Sequence, residues 1–285
     1  MLPPDATTHT PRRLAEPSGW VLYLSHTQPE RLVVFVHGFA GGAVDTWQRF
    51  PESGRLRGGW DASDMLYVRY DSRKESPSGV AARIRRALPW FYPYMPPEHI
   101  EEGGASVRPR ATAPYAELLL VGHSLGGVIA RITLSDSAQQ WLEDREKDPD
   151  TPKPGLLDAK LRLFSPASAG IRLAGKLGMV HATPFWRVVN FRLRDSPAYT
   201  DLERGSGFLA DIRRRTEDLI EAFPEEVSAL RASIVWPVAD DVVVPSRYRH
   251  DYVEQWVENK THSTVCKPND TYSEPWLFVE TGKTE

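Results

Sequence analysis

A cluster of small residues around one serine constrains this chain more than any other feature. Residues 117–131 read ELLLVGHSLGGVIAR, in which two apolar runs flank Ser124. The first run predicts a buried strand, and the run that starts at Gly126 predicts a helix. A G-x-S-x-G pattern between a strand and a helix is typical of a sharp turn that raises a serine hydroxyl above the end of a parallel sheet. We therefore expect Ser124 to be a nucleophile.

The glycines of this stretch have a predicted steric role. A side chain at Gly122 or Gly126 would crowd the strained turn on either side of the serine, and Gly127 is expected to let the helix pack closely. A phosphate-binding turn is the competing prediction, but the sequence lacks the patterns that are typical of such a turn. The chain contains no G-x-x-x-x-G-K-[ST], and the spacing of GHSLGG differs from G-x-G-x-x-G.

Strand-like and helix-like segments alternate along the chain, which predicts the α/β class. Several strand candidates are almost continuously apolar, as expected for a mostly parallel central sheet flanked by helices on both faces. The predicted strands are residues 20–24, 31–38, 65–71, 117–123, 160–166 and 233–239. The predicted helices are residues 78–88, a long helix from 126, 205–223 and 250–260.

The length of 285 residues, with 41% hydrophobic residues, suffices for one large domain over residues 1–285. Residues 171–231 separate two strand candidates and predict a cap or lid insertion within that domain. Residues 89–116 are too rich in Pro and Gly for a regular element. Their aromatic part, 89–96, predicts either a mobile loop at a substrate entrance or a loop held by its own aromatic side chains.

Composition excludes several classes of protein and partner. The net charge of −3 argues against a nucleic acid partner. The single cysteine, Cys266, permits no internal disulfide, and the sequence shows no secretory signal and no apolar run long enough for a transmembrane segment. We therefore expect a cytoplasmic location. No metal or cofactor motif is recognisable, and the sequence leaves the oligomeric state open.

A serine nucleophile needs a base, an acid that orients the base, and donors for the oxyanion. The donors are expected from two backbone N–H groups. One belongs to Leu125, directly after the serine, and the other to Phe39 in VVFVHGFAGG, where a predicted strand ends. Ala40 is the alternative to Phe39.

The acid is predicted in IVWPVADDVVVPS, just after a strand. Asp241 has the D-x-x-x-P spacing to Pro245 and is preferred, with Asp240 as the alternative. If the chain order is serine, acid, histidine, the base is His250 or His262. His262 is preferred because His250 falls at the start of a predicted helix.

With these residues in place, the sequence resembles the α/β-hydrolase superfamily. More narrowly it resembles bacterial serine esterase or lipase-like proteins of the PGAP and SERAC types. The resemblance rests on VVFVHGFAGG, LLLVGHSLGGVIAR, DDVVVPS and THSTVCKP. It implies an eight-stranded, mostly parallel sheet, a triad of Ser124, Asp241 and His262, and an oxyanion hole of Phe39 and Leu125.

The expected reaction is hydrolysis of a small-molecule or lipid carboxylic ester through an acyl-enzyme, without a cofactor. The same residues would serve an acyltransferase, in which an alcohol or thiol replaces water. A binding protein that has the fold but no activity is the third hypothesis. The sequence leaves the acyl chain and the leaving group open.

Overall fold

The computed structural model describes residues 8–52, 60–102, 105–109, 113–171 and 206–285. An eight-stranded sheet in the order β1-β2-β4-β3-β7-β8-β9-β10 runs through the centre. Its strands are β1 (His9–Arg13), β2 (Val21–Ser25), β3 (Arg31–Val36), β4 (Ser63–Val68), β7 (Glu117–His123), β8 (Lys160–Phe164), β9 (Ala232–Pro237) and β10 (Gln255–Val257). A two-stranded ribbon is formed by β5 (Glu101–Glu102) and β6 (Ala105–Ser106).

From β4 to β10 all neighbouring strands are parallel, whereas β2 pairs antiparallel with β4 and with β1. The α-helices of the described residues are α1 (Pro77–Ala87), α2 (Pro97–Ile100), α3 (Leu125–Lys147), α4 (Gly207–Ala222) and α5 (Glu274–Thr281). Short 3-10 helices cover Phe50–Glu52, Trp60–Ala62, Leu88–Trp90, Gly155–Asp158 and Ser228–Leu230.

The core lies on both faces of the sheet. Alternation along β3 sends Val34 to one apolar cluster and Phe35 to the other. The cluster that contains Val34 is covered by α1, α3 and α4, and the cluster that contains Phe35 is covered by α5 and by rings such as Trp47. Burial on both faces explains why the central strands are almost continuously apolar. The predicted α/β class and the mostly parallel sheet are confirmed.

The helix predicted over residues 250–260 is wrong. Residues Gln255–Val257 form β10, which pairs in parallel with β9 at the edge of the sheet. The ring of Trp256 lies over Trp236 of β9, with centroids 6.2 Å apart. Pairing with a neighbouring strand and this ring contact outweigh the helical pattern of the segment.

The aromatic loop at 89–96 is held in place, and it does not lie near Ser124. Phe91 is fully buried and stacks on Trp20. The N–H of Tyr115 donates to the carbonyl of Pro93 at 2.9 Å, just before β7 begins. Because Ser124 follows the other end of β7, about 20 Å of strand separates the loop from it. The prediction of a loop held by its own aromatics is confirmed, and the loop lies at the opposite end of β7 from Ser124.

A buried ion pair fastens the end of the same irregular segment. The Arg108 guanidinium donates to Asp64 Oδ1 at 2.7 Å and to the Ser25 carbonyl at 2.8 Å. Tyr115 donates its hydroxyl to Asp64 Oδ2 at 2.5 Å. Since Asp64 is the second residue of β4, all these contacts lie at the amino ends of the parallel strands.

Residues 172–205 of the predicted cap lie outside the described residues, so the cap remains a prediction. Its last part contains α4, which packs beside α3 on the sheet. Ser135 of α3 and Thr216 of α4 form a buried hydrogen bond of 2.9 Å between their hydroxyls. Among the described residues, no helix combines the length and apolar character needed to cross a bilayer.

Candidate active site

Ser124 occupies a strained turn between β7 and α3. Its φ of 54° and ψ of −119° are rarely adopted by a residue with a side chain. A Cβ on Gly126 would lie 2.5 Å from the carbonyl oxygen of His37 and overlap that of Val36, and one on Gly122 would lie 2.7 Å from Gly127. The predicted role of the two glycines is therefore confirmed, because only hydrogen fits at either position.

His262 is buried, and its Nδ1 donates a hydrogen bond of 3.0 Å to Asp240 Oδ2. The preference for Asp241 as the acid is therefore wrong, and the alternative, Asp240, is the residue that the structure brings to the imidazole. Asp241 lies at the surface. The physical reason is the turn itself, because Oδ1 of Asp240 accepts the N–H groups of Val242 and Val243 at 2.9 and 3.0 Å.

The Asp240 carboxylate is stabilised in its charged form. Burial by itself would raise the pKa of this group, but the hydrogen bond and charge of His262 and the N–H groups of Val243 and Val242 outweigh burial. The pKa of Asp240 therefore lies below its ordinary value. An ionised carboxylate only accepts hydrogen bonds, so the imidazole carries its proton on Nδ1 and leaves Nε2 as the basic nitrogen.

His123, the middle residue of the GHS sequence, connects the base to the serine turn. Its Nε2 donates to the carbonyl of His262 at 2.8 Å, and the two rings lie 4.9 Å apart. Burial lowers the pKa of His123 to about 3, so the ring is neutral at neutral pH. Our sequence reasoning did not give His123 this role, although its position directly before the serine was the available signal.

The loop that carries His262 is a compact turn. The N–H groups of Thr264 and Val265 both donate to the carbonyl of Thr261 at 3.0 Å, and the Tyr272 hydroxyl donates to the carbonyl of Val265 at 2.8 Å. The nearby Cys266 is fully buried, and burial raises the pKa of its thiol to about 12. The loop thus fixes His262, and the thiol beside it stays protonated.

His250, the other histidine in the predicted chain order, is remote from this cluster. Its Nε2 lies 3.3 Å from the Glu221 carboxylate on α4. Of these two histidines, His262 is therefore the one that meets an aspartate after β9.

The two segments that are predicted to supply the oxyanion donors come close to Ser124. Leu125 is the first residue of α3, so its N–H has no carbonyl one turn earlier within the helix. The strand β3 ends before Gly38, where a Cβ would lie 3.0 Å from the Ser124 Cβ. The N–H of Ala40 donates to the Ser72 hydroxyl at 2.9 Å. Ala40 is thus engaged elsewhere, which leaves Phe39 as the candidate donor in this loop.

His37 and Tyr70 hold the start of that loop. The Tyr70 hydroxyl donates to the His37 carbonyl at 2.6 Å, and the two rings stack 4.2 Å apart. His37 Nδ1 is 2.8 Å from the carbonyl of Gly38, so Nδ1 carries the ring proton. Burial lowers the pKa of His37 to about 4, which keeps the ring neutral at neutral pH.

The serine turn and the acid loop are joined through the segment after β8. The N–H of Ala167 donates to the carbonyl of Ser124 at 3.2 Å, and the N–H of Val244 donates to that of Gly170 at 3.3 Å. Ser124, His262 and Asp240 therefore follow the carboxyl ends of β7, β10 and β9, at one end of the sheet. Within the described ranges, no three His, Cys, Asp or Glu side chains are grouped to hold a metal ion.

The chain is similar to known proteins in structure but not in sequence. No family model matches the sequence, and no curated protein matches it by sequence. The chain is similar in structure to the mature form of lipase BlEst2 from Bacillus licheniformis, with a TM-score of 0.53, 12% identity and coverage of 93% of this chain and 98% of the lipase. It is also similar to carboxyl esterase 2 from Tuber melanosporum, with a TM-score of 0.47, 15% identity and coverage of 98% and 85%.

The second TM-score is below 0.5 and adds no weight. The narrower resemblance to PGAP-type and SERAC-type proteins is confirmed by none of these comparisons and stays a prediction. The strand order, the strained serine turn and the similarity to the Bacillus lipase together show that the chain has the α/β-hydrolase fold.

Proposed function

We propose that the protein hydrolyses carboxylic esters, with Ser124 as nucleophile, His262 as general base and Asp240 as the orienting acid. The observation that carries the proposal is the buried hydrogen bond between His262 Nδ1 and Asp240 Oδ2, in a loop fastened to the serine turn through His123. A base oriented by a carboxylate next to a serine on a strained turn is the arrangement that nucleophilic catalysis requires.

In the first half of the reaction, the Ser124 oxygen attacks the ester carbonyl while His262 Nε2 takes its proton. The negative charge of Asp240 stabilises the imidazolium that forms. The tetrahedral intermediate collapses, the proton passes from His262 to the leaving alcohol, and an acyl-serine remains. Water then attacks the acyl group with His262 again as base, which releases the acid and restores Ser124.

The oxyanion of each tetrahedral intermediate is assigned to the N–H groups of Phe39 and Leu125. Supporting this, Leu125 begins α3, where the helix dipole favours negative charge. The removal of one such donor costs on the order of 3 kcal/mol of transition-state stabilisation in comparable sites.

The substrate class we propose is a small-molecule or lipid ester. The lipase of similar structure supports the ester bond as the target. The aromatic loop at 89–96 no longer supports an acyl-chain entrance, because it lies at the opposite end of the sheet from Ser124.

Turnover of p-nitrophenyl butyrate by Ser124→Ala tests the proposal. We expect the variant to lose activity by roughly 10⁴-fold or more while its circular dichroism and melting temperature stay close to those of the wild type. Ser18→Ala, at an exposed turn, is the matched control and keeps full activity. Wild-type turnover by a folded Ser124→Ala variant would disprove the proposal.

A further inference from the structure

A cavity of about 1000 Å³ opens at the amino ends of β8 and β9. Lys160, the first residue of β8, lines it, whereas Ser124 follows the carboxyl end of the adjacent parallel strand β7. The cavity is therefore separate from the candidate active site. Its volume is at the upper end of the range of small-molecule sites, about 300 to 1000 Å³.

Arg162 lines this cavity as a buried cation without a counter-charge. The residue is only 6% exposed, its Nη1 donates to Ser233 Oγ at 3.1 Å, and its Nε is buried with no hydrogen-bond partner. None of the ion pairs among the described residues includes Arg162. A Cβ on Gly282 would lie 3.0 Å from the Arg162 Cζ, so the glycine makes room for the guanidinium.

A buried charge without a partner is unfavourable, and burial accordingly lowers the pKa of Arg162. Tyr252 and Glu117 act in the opposite direction, but Glu117 is already paired with Lys160. Arginine remains protonated even so. An anion in the cavity would supply the missing partner.

Two other cationic side chains of the lining also have no ion-pair partner among the described residues. The Nε of Arg231 is buried and has no partner, and neither Arg231 nor Lys283 takes part in an ion pair with any described residue. Both side chains line the cavity together with Arg162. Three unpaired cations on one cavity wall favour a negatively charged ligand.

Two of the three acidic residues of the lining are paired with cations outside it. Asp158 is paired with Lys153 at 3.0 Å, and Glu254 with Arg247 at 2.7 Å. Both partners lie outside the cavity lining. Glu285, the remaining acid, is exposed.

The rim of the cavity is apolar. Tyr252, Val253 and Trp256 line it with exposures of 54%, 79% and 47%, and they are among the few large hydrophobic side chains exposed on the described surface. Exposed aromatic surface beside a polar cavity is typical of a binding site.

We propose that this cavity is a second ligand site, which binds a carboxylate attached to an aromatic or apolar body. Arg162 pairs with the carboxylate, because the planar guanidinium matches a planar two-oxygen anion. Trp256 and Tyr252 contact the body of the ligand. The site needs no contribution from Ser124, Asp240 or His262.

Calorimetric titration with 2-naphthoate at pH 7 tests the proposal, with 2-naphthalenemethanol as the uncharged analogue. We expect saturable binding of one naphthoate and roughly tenfold weaker binding of the alcohol. Arg162→Met removes the charge and keeps the volume, and should weaken naphthoate binding roughly tenfold or more without loss of thermal stability. Arg214→Gln, on the exposed face of α4, is the matched control and binds like the wild type.

Equal naphthoate affinity in wild type and Arg162→Met would overturn the proposal, as would equal affinity for the alcohol or the absence of saturable binding. If Arg162→Met fails to fold, the naphthoate affinity of Arg231→Gln tests the proposal instead. Its side chain is only half-buried, and a several-fold loss of affinity is expected. Unchanged affinity in a folded Arg231→Gln variant would likewise contradict the proposal.

Discussion

Asp240 and Asp241 are adjacent in the chain, yet Asp240 is buried against His262 whereas Asp241 lies at the surface. One oxygen of Asp240 binds the imidazole, and the other accepts two N–H groups of the turn that follows. The D-x-x-x-P spacing contains no information about which carboxylate closes that turn. The sequence therefore predicts the segment whose carboxylate meets His262, but not which of its two aspartates does so.

Asparagine substitutions distinguish the two aspartates. Asp240→Asn removes the charge that stabilises the imidazolium and allows the wrong tautomer of His262, so kcat should fall by roughly 10⁴-fold. Asp241→Asn should keep nearly wild-type kcat, because Asp241 lies at the surface and Asp240 already occupies Nδ1 of His262. Steady-state kinetics with p-nitrophenyl butyrate measure both variants. A greater loss in Asp241→Asn than in Asp240→Asn would show that the carboxylate is wrongly assigned.

His123 makes the stability of the protein depend on pH. Its pKa is about 3 in the folded protein and 6.5 in an ordinary histidine. Below pH 6.5 the unfolded chain therefore binds a proton that the folded protein does not, and stability is lost as pH falls towards 3. Between pH 7 and pH 5 this single histidine accounts for a loss of about 2 kcal/mol.

Urea unfolding at pH 7 and pH 5 measures this effect in wild type and in His123→Gln. Glutamine keeps a donor for the His262 carbonyl and does not titrate. The wild type should lose about 2 kcal/mol more than the variant between the two pH values. The same loss in both proteins would mean that His123 does not carry the predicted pKa shift.

At the scale of elements, the turn between β7 and α3 depends on close backbone contact. A Cβ on Gly126 would overlap the carbonyl oxygen of Val36 at the end of β3. Neither backbone segment is free to move, since β3 and β7 are hydrogen-bonded neighbours in the sheet. The serine turn and the end of β3 therefore form one rigid unit.

Gly126→Ala should lower the free energy of unfolding by about 3 kcal/mol or more, because it inserts a methyl group into this contact. Gly207→Ala at the start of α4 is the matched control, since nothing lies within 4 Å of its added Cβ. The control should not be destabilised and should gain at most about 1 kcal/mol. Chemical denaturation of both variants checks this. Equal stability of the two would show that the turn is looser than the structure indicates.

The central strands and the serine turn were predictable because the conformation of each is determined by residues within its own segment. Continuous apolar runs such as LLLV identify strands that are covered on both faces, and the glycines around Ser124 identify the turn. The strand β10 was not predictable, because HDYVEQWVENK also fits an amphipathic helix. Only pairing with β9 and the contact between Trp256 and Trp236 decide its conformation.

At the scale of the molecule, the parallel sheet separates two chemical environments. Ser124 and His262 lie beyond the carboxyl ends of the strands, where α/β sheets generally bind their ligands. The aromatic loop at 89–96, the ion pair of Arg108 and the cavity lined by Arg162 lie at the amino ends. A local sequence pattern does not reveal the end of the sheet to which a long loop returns, which is why the loop was also compatible with a substrate entrance.

This separation predicts that the exposed aromatics of the loop do not serve catalysis. Trp90 is 59% exposed and Tyr94 51% exposed. Trp90→Ala and Tyr94→Ala should leave kcat/KM for p-nitrophenyl esters of short and long acyl chains unchanged. A selective loss for long chains in either variant would place the loop at the substrate site instead.

The most direct test of the central claim is the reaction of the native protein with a fluorophosphonate probe, followed by peptide mass mapping. We expect one labelled residue, Ser124, since its hydroxyl is the one that His262 and Asp240 would activate. Labelling should disappear in Ser124→Ala, slow strongly in Asp240→Asn, and continue at nearly the wild-type rate in Asp241→Asn. A folded protein that takes up no probe, or that is labelled at another residue, would contradict it.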